Sequence, residues 1–172
     1  MSPAPRIRPA TPADFAALQD IERSAGQAFR AIGMPEIADD DPFTVAELTR
    51  YQQAGRAWVT VAADDHPIAY LVADPVDGNL HIEQVSVHAG WSHQGLGRAL
   101  IEHAAGVAVA AGQPALTLTT FTEVPWNAPY YQRLGFRPLA ESEVTPGLRG
   151  IRQTEAAHGL DRWPRLSMRR DL

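Results

Sequence analysis

The sequence contains no cysteine, and this absence removes several kinds of chemistry. Without thiols there is no disulfide, no thiolate metal site and no cysteine nucleophile, so a covalent catalytic step would need another residue. The absence also suits a reducing cytoplasm. The N-terminal stretch MSPAPRIRPA has no apolar core of signal-peptide length, and no run approaches the roughly 20 apolar residues of a membrane span. We therefore expect a cytoplasmic protein with no membrane partner.

Positive charge is scarce as well. The 172 residues include 15 basic and 20 acidic side chains, giving a formal net charge of -5. Nucleic-acid binding needs clustered basic residues, whereas these are scattered apart from the C-terminal RLSMRRDL. His88, His93 and His103 do not have the spacing of metal ligands. We expect neither a nucleic-acid partner nor a bound metal.

The length fits a single domain, which we expect to cover residues 1–172. Apolar residues at helical spacing predict a first long helix, and later β-rich runs separated by turn residues predict strands. Residues 34–43 read as a loop, and no element can be assigned to 144–163. The predicted helices are 11–33, 44–54, 95–111 and 127–135. The predicted strands lie near the N-terminus in RIRPAT and at 57–63, 67–73, 80–88, 115–121, 136–141 and 164–172, the last of them closing the sheet.

The stretch HQGLG, residues 93–97, lies between a predicted strand ending near Val87 and a predicted helix starting near Gly95. Helix N-termini expose unpaired amides, and glycine lets an anion approach the backbone, so this turn suits a phosphate. A Walker loop is excluded because Leu96 stands where lysine is required. A dinucleotide fingerprint fits poorly because Leu100 replaces Gly or Ala and the turn begins well beyond the strand.

A third arrangement explains the turn better. The stretch VSVHAGWSHQGLGRAL resembles the acetyl-CoA pyrophosphate motif of the GNAT superfamily of N-acetyltransferases, with Gly95 and Gly97 as its two glycines. It departs from that motif at Ser92, where Gln or Arg is expected. A second stretch, NAPYYQRLGF, resembles the closing helix of the family. There a tyrosine four residues before a Gly-Phe pair lies near the coenzyme sulfur, and here that tyrosine is Tyr131, before Gly135.

The resemblance implies an α/β (α+β) fold with a mixed, mostly antiparallel sheet flanked by helices. Its central strands splay apart so that the pantetheine arm of acetyl-CoA, the co-substrate, inserts as an extra strand would. The residues implied in coenzyme binding are Val85, Val87, His93, Gln94, Gly95, Gly97, Arg98 and Asn127, the last also capping the closing helix.

A base is also expected, because an amine of pKa about 10.4 is neutral only about once in 2,500 molecules at pH 7. Strand alternation places His81 and Glu83 on the face that carries Val85 and Val87. Glu83 is the first candidate, because many members of the family carry a carboxylate near this position, and His81 is the second. Tyr131 would act on the leaving thiolate.

We expect an N-acetyltransferase that moves acetyl from acetyl-CoA directly to a primary amine of a small molecule or peptide. Two alternatives stand beside it: a non-catalytic module that senses acyl-CoA, and a nucleotide-dependent oxidoreductase, which Leu100 disfavours. The sequence does not identify the amine. A strand edge exposed in such a sheet is compatible with a monomer or a homodimer.

Overall fold

The computed structural model describes residues 4–172. Its helices are α1 (Phe15–Gly26), α2 (Pro35–Ala38), α3 (Val45–Gln53), α4 (Leu96–Ala110), α5 (Ala128–Arg133) and α6 (Pro146–Ala157). Its strands are β1 (Arg6–Pro9), β2 (Ala57–Val61), β3 (Pro67–Val76), β4 (Asn79–Val87), β5 (Ala115–Phe121), β6 (Arg137–Pro138) and β7 (Arg165–Asp171). None of the helices in this part of the chain has both the length and the hydropathy needed to cross a membrane.

The strands form one seven-stranded sheet in the order β1-β2-β3-β4-β5-β7-β6. The pairs β1/β2, β2/β3, β5/β7 and β6/β7 are antiparallel, whereas β4/β5 is parallel. The β4/β5 pairing comprises only Leu80 with Leu116 and His81 with Thr117, although both strands continue beyond it. The sheet is therefore mixed and mostly antiparallel, with central strands that part after two residue pairs. This confirms the fold class that the resemblance implied.

The chain divides into two compact units whose boundary falls inside β3, β4 and α4. The first unit comprises residues up to Ala73 together with Gln84–His103, and the second comprises Asp74–Glu83 together with Ala104–Leu172. The single domain over residues 1–172 stays a prediction.

The core of the first unit lies between two helices and strands β2 and β3. Helix α1 buries Phe15, Leu18 and Ile21, whose spacing of three places them on one face. Helix α3 starts with a capping box, in which the Glu47 N–H donates to Thr44 Oγ1 and the Thr44 N–H donates to Glu47. These helices pack on the buried faces of β2 and β3, so the amphipathic patterns account for this half of the fold.

In the second unit, α6 starts against the turn between β3 and β4. The Gly147 N–H donates to the Asp77 carboxylate at 2.9 Å, and the Thr145 hydroxyl donates to the same carboxylate. A Cβ on Gly147 would lie 2.6 Å from Val76 Cγ1 and 2.7 Å from an Asp77 oxygen. A larger residue at position 147 would therefore force the Val76 and Asp77 side chains to move.

Several element bounds differ from the sequence predictions. The loop at 34–43 contains α2, with Pro35 at its start, and the predicted helix 11–33 has 3-10 turns at both ends of α1. Strand β3 continues to Val76, and the strand predicted at 136–141 is only Arg137–Pro138. The last strand was expected to close the sheet, but β7 pairs on both sides because β6 covers its outer edge.

Candidate active site

The glycine turn begins α4 with left-handed backbone. His93 has φ of 62° and Gly95 has φ of 76°, a region that glycine adopts without strain. The Ala99 N–H donates to the Gly95 carbonyl at 3.0 Å. The amides of residues 96–98 precede this bond and have no partner inside the helix. The N-terminus of α4 therefore presents free N–H groups and the positive end of the helix dipole.

The loop before this turn is held by hydrogen bonds that involve the side chains of His88, Ser24 and Ser92. The Gly90 N–H donates to His88 Nδ1 at 3.0 Å, and the Ala89 N–H donates to the hydroxyl of Ser24 in α1 at 3.0 Å. The Ser92 hydroxyl donates to the Ala89 carbonyl at 2.9 Å. The residue that departs from the family motif thus contributes its side chain to the loop itself.

Strand β4 brings His81 and Glu83 together on one face, as alternation predicts. His81 is buried, with 1% exposure, and its Nδ1 lies 2.9 Å from Thr117 Oγ1 on β5. Its Nε2 lies 3.7 Å from Glu83 Oε2, and Glu83 is exposed. Burial lowers the pKa of His81 to about 4, against the opposing effect of nearby Glu155 and Asp74. The imidazole is therefore neutral at pH 7 and is a weaker base than its unperturbed pKa of about 6.5 would make it.

The remaining residues of β4 continue this alternation. Val85 and Val87 are partly buried and follow the segment paired with β5. The Gln84 amide donates to the hydroxyl of buried Ser86 at 2.7 Å, which places these two side chains on the opposite face.

Helix α5 carries Asn127 at its N-cap position and Tyr131 on its second turn. The Tyr131 N–H donates to the Asn127 carbonyl at 2.9 Å, but the Asn127 side chain makes no capping bond, so the predicted side-chain cap is wrong. The Tyr131 ring packs edge-on against Tyr130 and Phe136, with centroids 5.5 and 5.9 Å away. Burial raises the pKa of Tyr131 well above its usual range, so the hydroxyl keeps its proton.

The Tyr131 hydroxyl has no hydrogen-bond partner within residues 4–172. The hydroxyl oxygen of Tyr70 is both unpartnered and fully buried, whereas the unpartnered hydroxyl oxygen of Tyr131 retains accessible surface. The Asn127 amide likewise has no partner in the described chain. Both groups are thus available to a ligand.

Two polar residues near His81 were not found from the sequence. Thr117 shares a buried face of β5 with Thr119, and the alternation of that strand could have indicated it. Glu155 lies on α6, in a segment to which the sequence assigned no element. Its carboxylate accepts from Thr119 at 2.5 Å and from Arg165 at 3.1 Å, and its charge acts on His81.

The predicted residues thus fall into three local groups. His81 and Glu83 meet on β4, the residues from His93 to Arg98 form the start of α4, and Asn127 and Tyr131 lie on α5. Within the described residues no three His, Cys, Asp or Glu side chains converge as metal ligands do.

A profile of the Acetyltransferase (GNAT) family matches residues 17–136. The structure is similar to the PaiA N-acetyltransferase of Thermoplasma acidophilum, solved with coenzyme A, at TM-score 0.72 and 15% identity over 98% of this chain and 99% of that one. A GNAT-family acetyltransferase of Staphylococcus aureus Mu50 gives TM-score 0.74 and 11% identity, covering 98% and 99%. The ribosomal-protein-S18-alanine N-acetyltransferase of Escherichia coli gives 0.66 and 18%, covering 98% and 94%. Because the family profile matches more than half of the sequence, this chain belongs to the GNAT acetyltransferase family.

Proposed function

We propose that this chain transfers the acetyl group of acetyl-CoA directly to a primary amine. The observation that carries the proposal is the exposed carboxylate of Glu83, 3.7 Å from a buried neutral His81, on the strand that leads into the glycine turn. Family membership supports acetyl-CoA as the donor. The absence of cysteine favours a direct transfer over a thioester intermediate on the enzyme.

In this proposal the start of α4 binds the coenzyme pyrophosphate. The amides of residues 96–98 supply hydrogen bonds, and the left-handed backbone at His93 and Gly95 turns neighbouring amides toward the anion, with Gln94 between them. Arg98, which is exposed, adds positive charge. Binding through the backbone does not require a long side chain at position 92, which is why serine is compatible with the site.

The pantetheine arm is proposed to pair with the backbone of Val85 and Val87, which follow the paired segment of β4. The amide of Asn127 would give it a polar contact. That amide is suited to the role because it caps no helix and has no other partner in residues 4–172.

Glu83 is proposed as the base. It removes a proton from the bound ammonium, directly or through water, and the neutral amine attacks the thioester carbonyl. The C–N bond forms, the tetrahedral intermediate collapses, and the C–S bond breaks to leave the coenzyme thiolate. A backbone amide at or beside Val85 would stabilise the oxyanion. After the C–N bond has formed, the nitrogen loses a second proton to give the neutral amide. Of the two protons that the ammonium has then lost, one reaches the coenzyme thiolate and the other is released.

His81 is proposed to position Glu83 without exchanging a proton. When the Thr117 hydroxyl donates to Nδ1, the neutral imidazole carries its proton on Nε2, which faces the Glu83 carboxylate. An imidazole of pKa about 4 is mostly unprotonated from about pH 5 up to the pKa of the amine, so over that range it provides a fixed dipole.

Tyr131 is proposed to donate a hydrogen bond to the leaving sulfur. Its raised pKa lies far above that of a thiol, about 8.5, so it would stabilise the thiolate without giving up its proton. The unpartnered and accessible hydroxyl supports this role.

The test is thiol release from acetyl-CoA with a panel of amino acids, polyamines, aminoglycosides and peptides, with mass spectrometry of the acetylated product. The chain contains no lysine, so it offers no side-chain amine that would give background acetylation. We expect release with at least one amine, reduced in Glu83→Gln and unchanged in Glu36→Gln, which alters an exposed residue of α2. Acetyl-CoA binding with no release for any amine would favour the sensing module instead.

A further inference from the structure

The imidazole of His81 is held by a hydroxyl on the neighbouring strand. His81 and Thr117 face each other in one of the residue pairs that join β4 to β5. The His81 Nδ1 lies 2.9 Å from Thr117 Oγ1, and the two residues are 1% and 2% exposed. This is the only hydrogen bond of the His81 side chain within residues 4–172. Because the pair is buried, removing the hydroxyl would leave a ring nitrogen without a partner.

The carboxylate of Glu83 determines which ring nitrogen carries the proton. A neutral imidazole has one donor nitrogen and one acceptor nitrogen, whereas an ionised carboxylate only accepts. The His81 Nε2 lies 3.7 Å from Glu83 Oε2. A lone pair on Nε2 would be repelled by the anion, so the proton is favoured on Nε2. Nδ1 is then the acceptor, and the Thr117 hydroxyl is the donor.

The orientation of the ring depends more on Thr117 than on Glu83. A distance of 3.7 Å is too long for a hydrogen bond, so the contact with Glu83 holds the ring only weakly. A half-turn of the ring about its bond to Cβ would put a carbon in place of each nitrogen, and both polar contacts would be lost. The Thr117 hydroxyl opposes this rotation because it bonds to the nitrogen and not to the carbon. The Thr117 bond therefore decides which edge of the ring Glu83 meets.

Glu83 depends on this orientation because its side chain is long and 34% exposed. An Nε2–H that points at the carboxylate stabilises the ionised form, which is the form that a base requires. It also favours the conformation in which the carboxylate faces His81. A reacting group commonly needs such support from a second layer of hydrogen-bonded residues.

We propose that Thr117 is a positioning residue for the base. Its hydroxyl donates to Nδ1 of His81 and fixes the ring so that Nε2–H faces the Glu83 carboxylate. Thr117 itself is buried and acts on Glu83 only through the imidazole. The catalytic part of this inference rests on the proposed role of Glu83, whereas the hydrogen bond and the place of the imidazole proton do not.

The place of the imidazole proton is tested by ¹⁵N NMR of the full-length protein with labelled histidine at pH 7. The signals of His81 are those that His81→Asn lacks. We expect a protonated Nε2 and an unprotonated, hydrogen-bonded Nδ1 in the wild type. In Thr117→Val the Nδ1 signal should move toward that of a nitrogen without a hydrogen bond, and Thr117→Ser should keep the wild-type signal. A proton on Nδ1 in the wild type, or an unchanged Nδ1 signal in Thr117→Val, would overturn the proposal.

Steady-state kinetics with one accepted amine test the effect on Glu83. Thr117→Val should lower kcat about three- to tenfold, which corresponds to the loss of one hydrogen bond. The KM for acetyl-CoA should not change, and Thr117→Ser should keep most of the activity. In a Glu83→Gln background Thr117→Val should have no further effect, because Thr117 acts through the base. Thr120→Val is the control, because Thr120 is also buried on β5 but lies on the other face of the strand.

The outcomes separate this inference from the proposed function. Normal turnover in folded Thr117→Val, or an equal loss in the Glu83→Gln background or in Thr120→Val, would overturn the role of Thr117 and leave Glu83 as the base. Normal turnover in Glu83→Gln would overturn the proposed base and, with it, the role of Thr117. The wild-type NMR measurement tests the inference even if Thr117→Val does not fold.

Discussion

Removing the Tyr131 hydroxyl separates a catalytic tyrosine from a structural one. The hydroxyl makes no hydrogen bond within residues 4–172, whereas the ring packs against Tyr130 and Phe136. Tyr131→Phe keeps the ring and its contacts. We therefore expect the free energy of unfolding to change by less than about 0.5 kcal/mol.

The expected kinetic effect follows from the bond proposed to form with the departing thiolate. A hydrogen bond to a charged group contributes about 1.5–3 kcal/mol, and about 1.4 kcal/mol corresponds to a tenfold change in rate. Tyr131→Phe should therefore lower kcat by about 10- to 150-fold and leave the affinity for acetyl-CoA nearly unchanged. Because the raised pKa keeps Tyr131 protonated, the wild-type rate should not fall through its ionisation below about pH 10.

The assay compares kcat and Tm of Tyr131→Phe and Tyr130→Phe with one accepted amine. Neighbouring residues of a helix point about 100° apart, so the two hydroxyls cannot serve the same sulfur atom equally. A crippled Tyr130→Phe beside a normal Tyr131→Phe would show that the family motif is misplaced by one residue. A lower Tm with normal turnover for Tyr131→Phe would make Tyr131 a structural residue only.

Three further predictions test other parts of the account. Burial depresses the folded-state pKa of His81 to about 4, so the unfolded chain is protonated at this residue first as pH falls. The free energy of unfolding of the wild type should therefore decrease by roughly 2.5 kcal/mol between pH 7 and pH 4.5, and urea unfolding of His81→Asn should lack this decrease. Gly147→Ala should destabilise by about 1–3 kcal/mol in thermal or urea unfolding because its Cβ meets the Val76 and Asp77 side chains, whereas Gly150→Ala, with open space, should stabilise. Gly97→Val should lower the affinity for acetyl-CoA, measured by calorimetry, at least about tenfold, whereas Gly106→Val on the same helix should leave it unchanged. Equal acetyl-CoA affinities of the two variants would contradict the proposed pyrophosphate site.

The parts of the fold with regular patterns were predictable. The β-rich runs of β2, β3 and β4 and the three-residue spacing in α1 matched their elements within a few residues, because buried strands are rich in apolar residues and α1 buries one apolar face. Helix α6 was not predicted, since its start depends on the fit of Gly147 against Asp77, which lies 70 residues earlier in the chain. Contacts over such a separation leave no local signal.

The site was predictable where one strand or turn carries it. Strand alternation placed His81 beside Glu83, and glycine spacing located the left-handed turn at Gly95. The ionisation of His81 was not predictable, because it depends on burial beneath neighbouring elements. The contribution of Glu155 was also out of reach, because α6 itself was not foreseen.

The most direct test of the account is the pH dependence of acetyl transfer in Glu83→Gln. If Glu83 deprotonates the amine, the variant should be about 100- to 10,000-fold slower at pH 7. The deficit should shrink about tenfold per pH unit as the acceptor approaches its own pKa, about 10.4, and arrives already neutral. His81→Asn should show a smaller deficit with no such recovery. A deficit in Glu83→Gln that stays constant with pH, with the recovery found instead in His81→Asn, would contradict the assignment of Glu83 as the base.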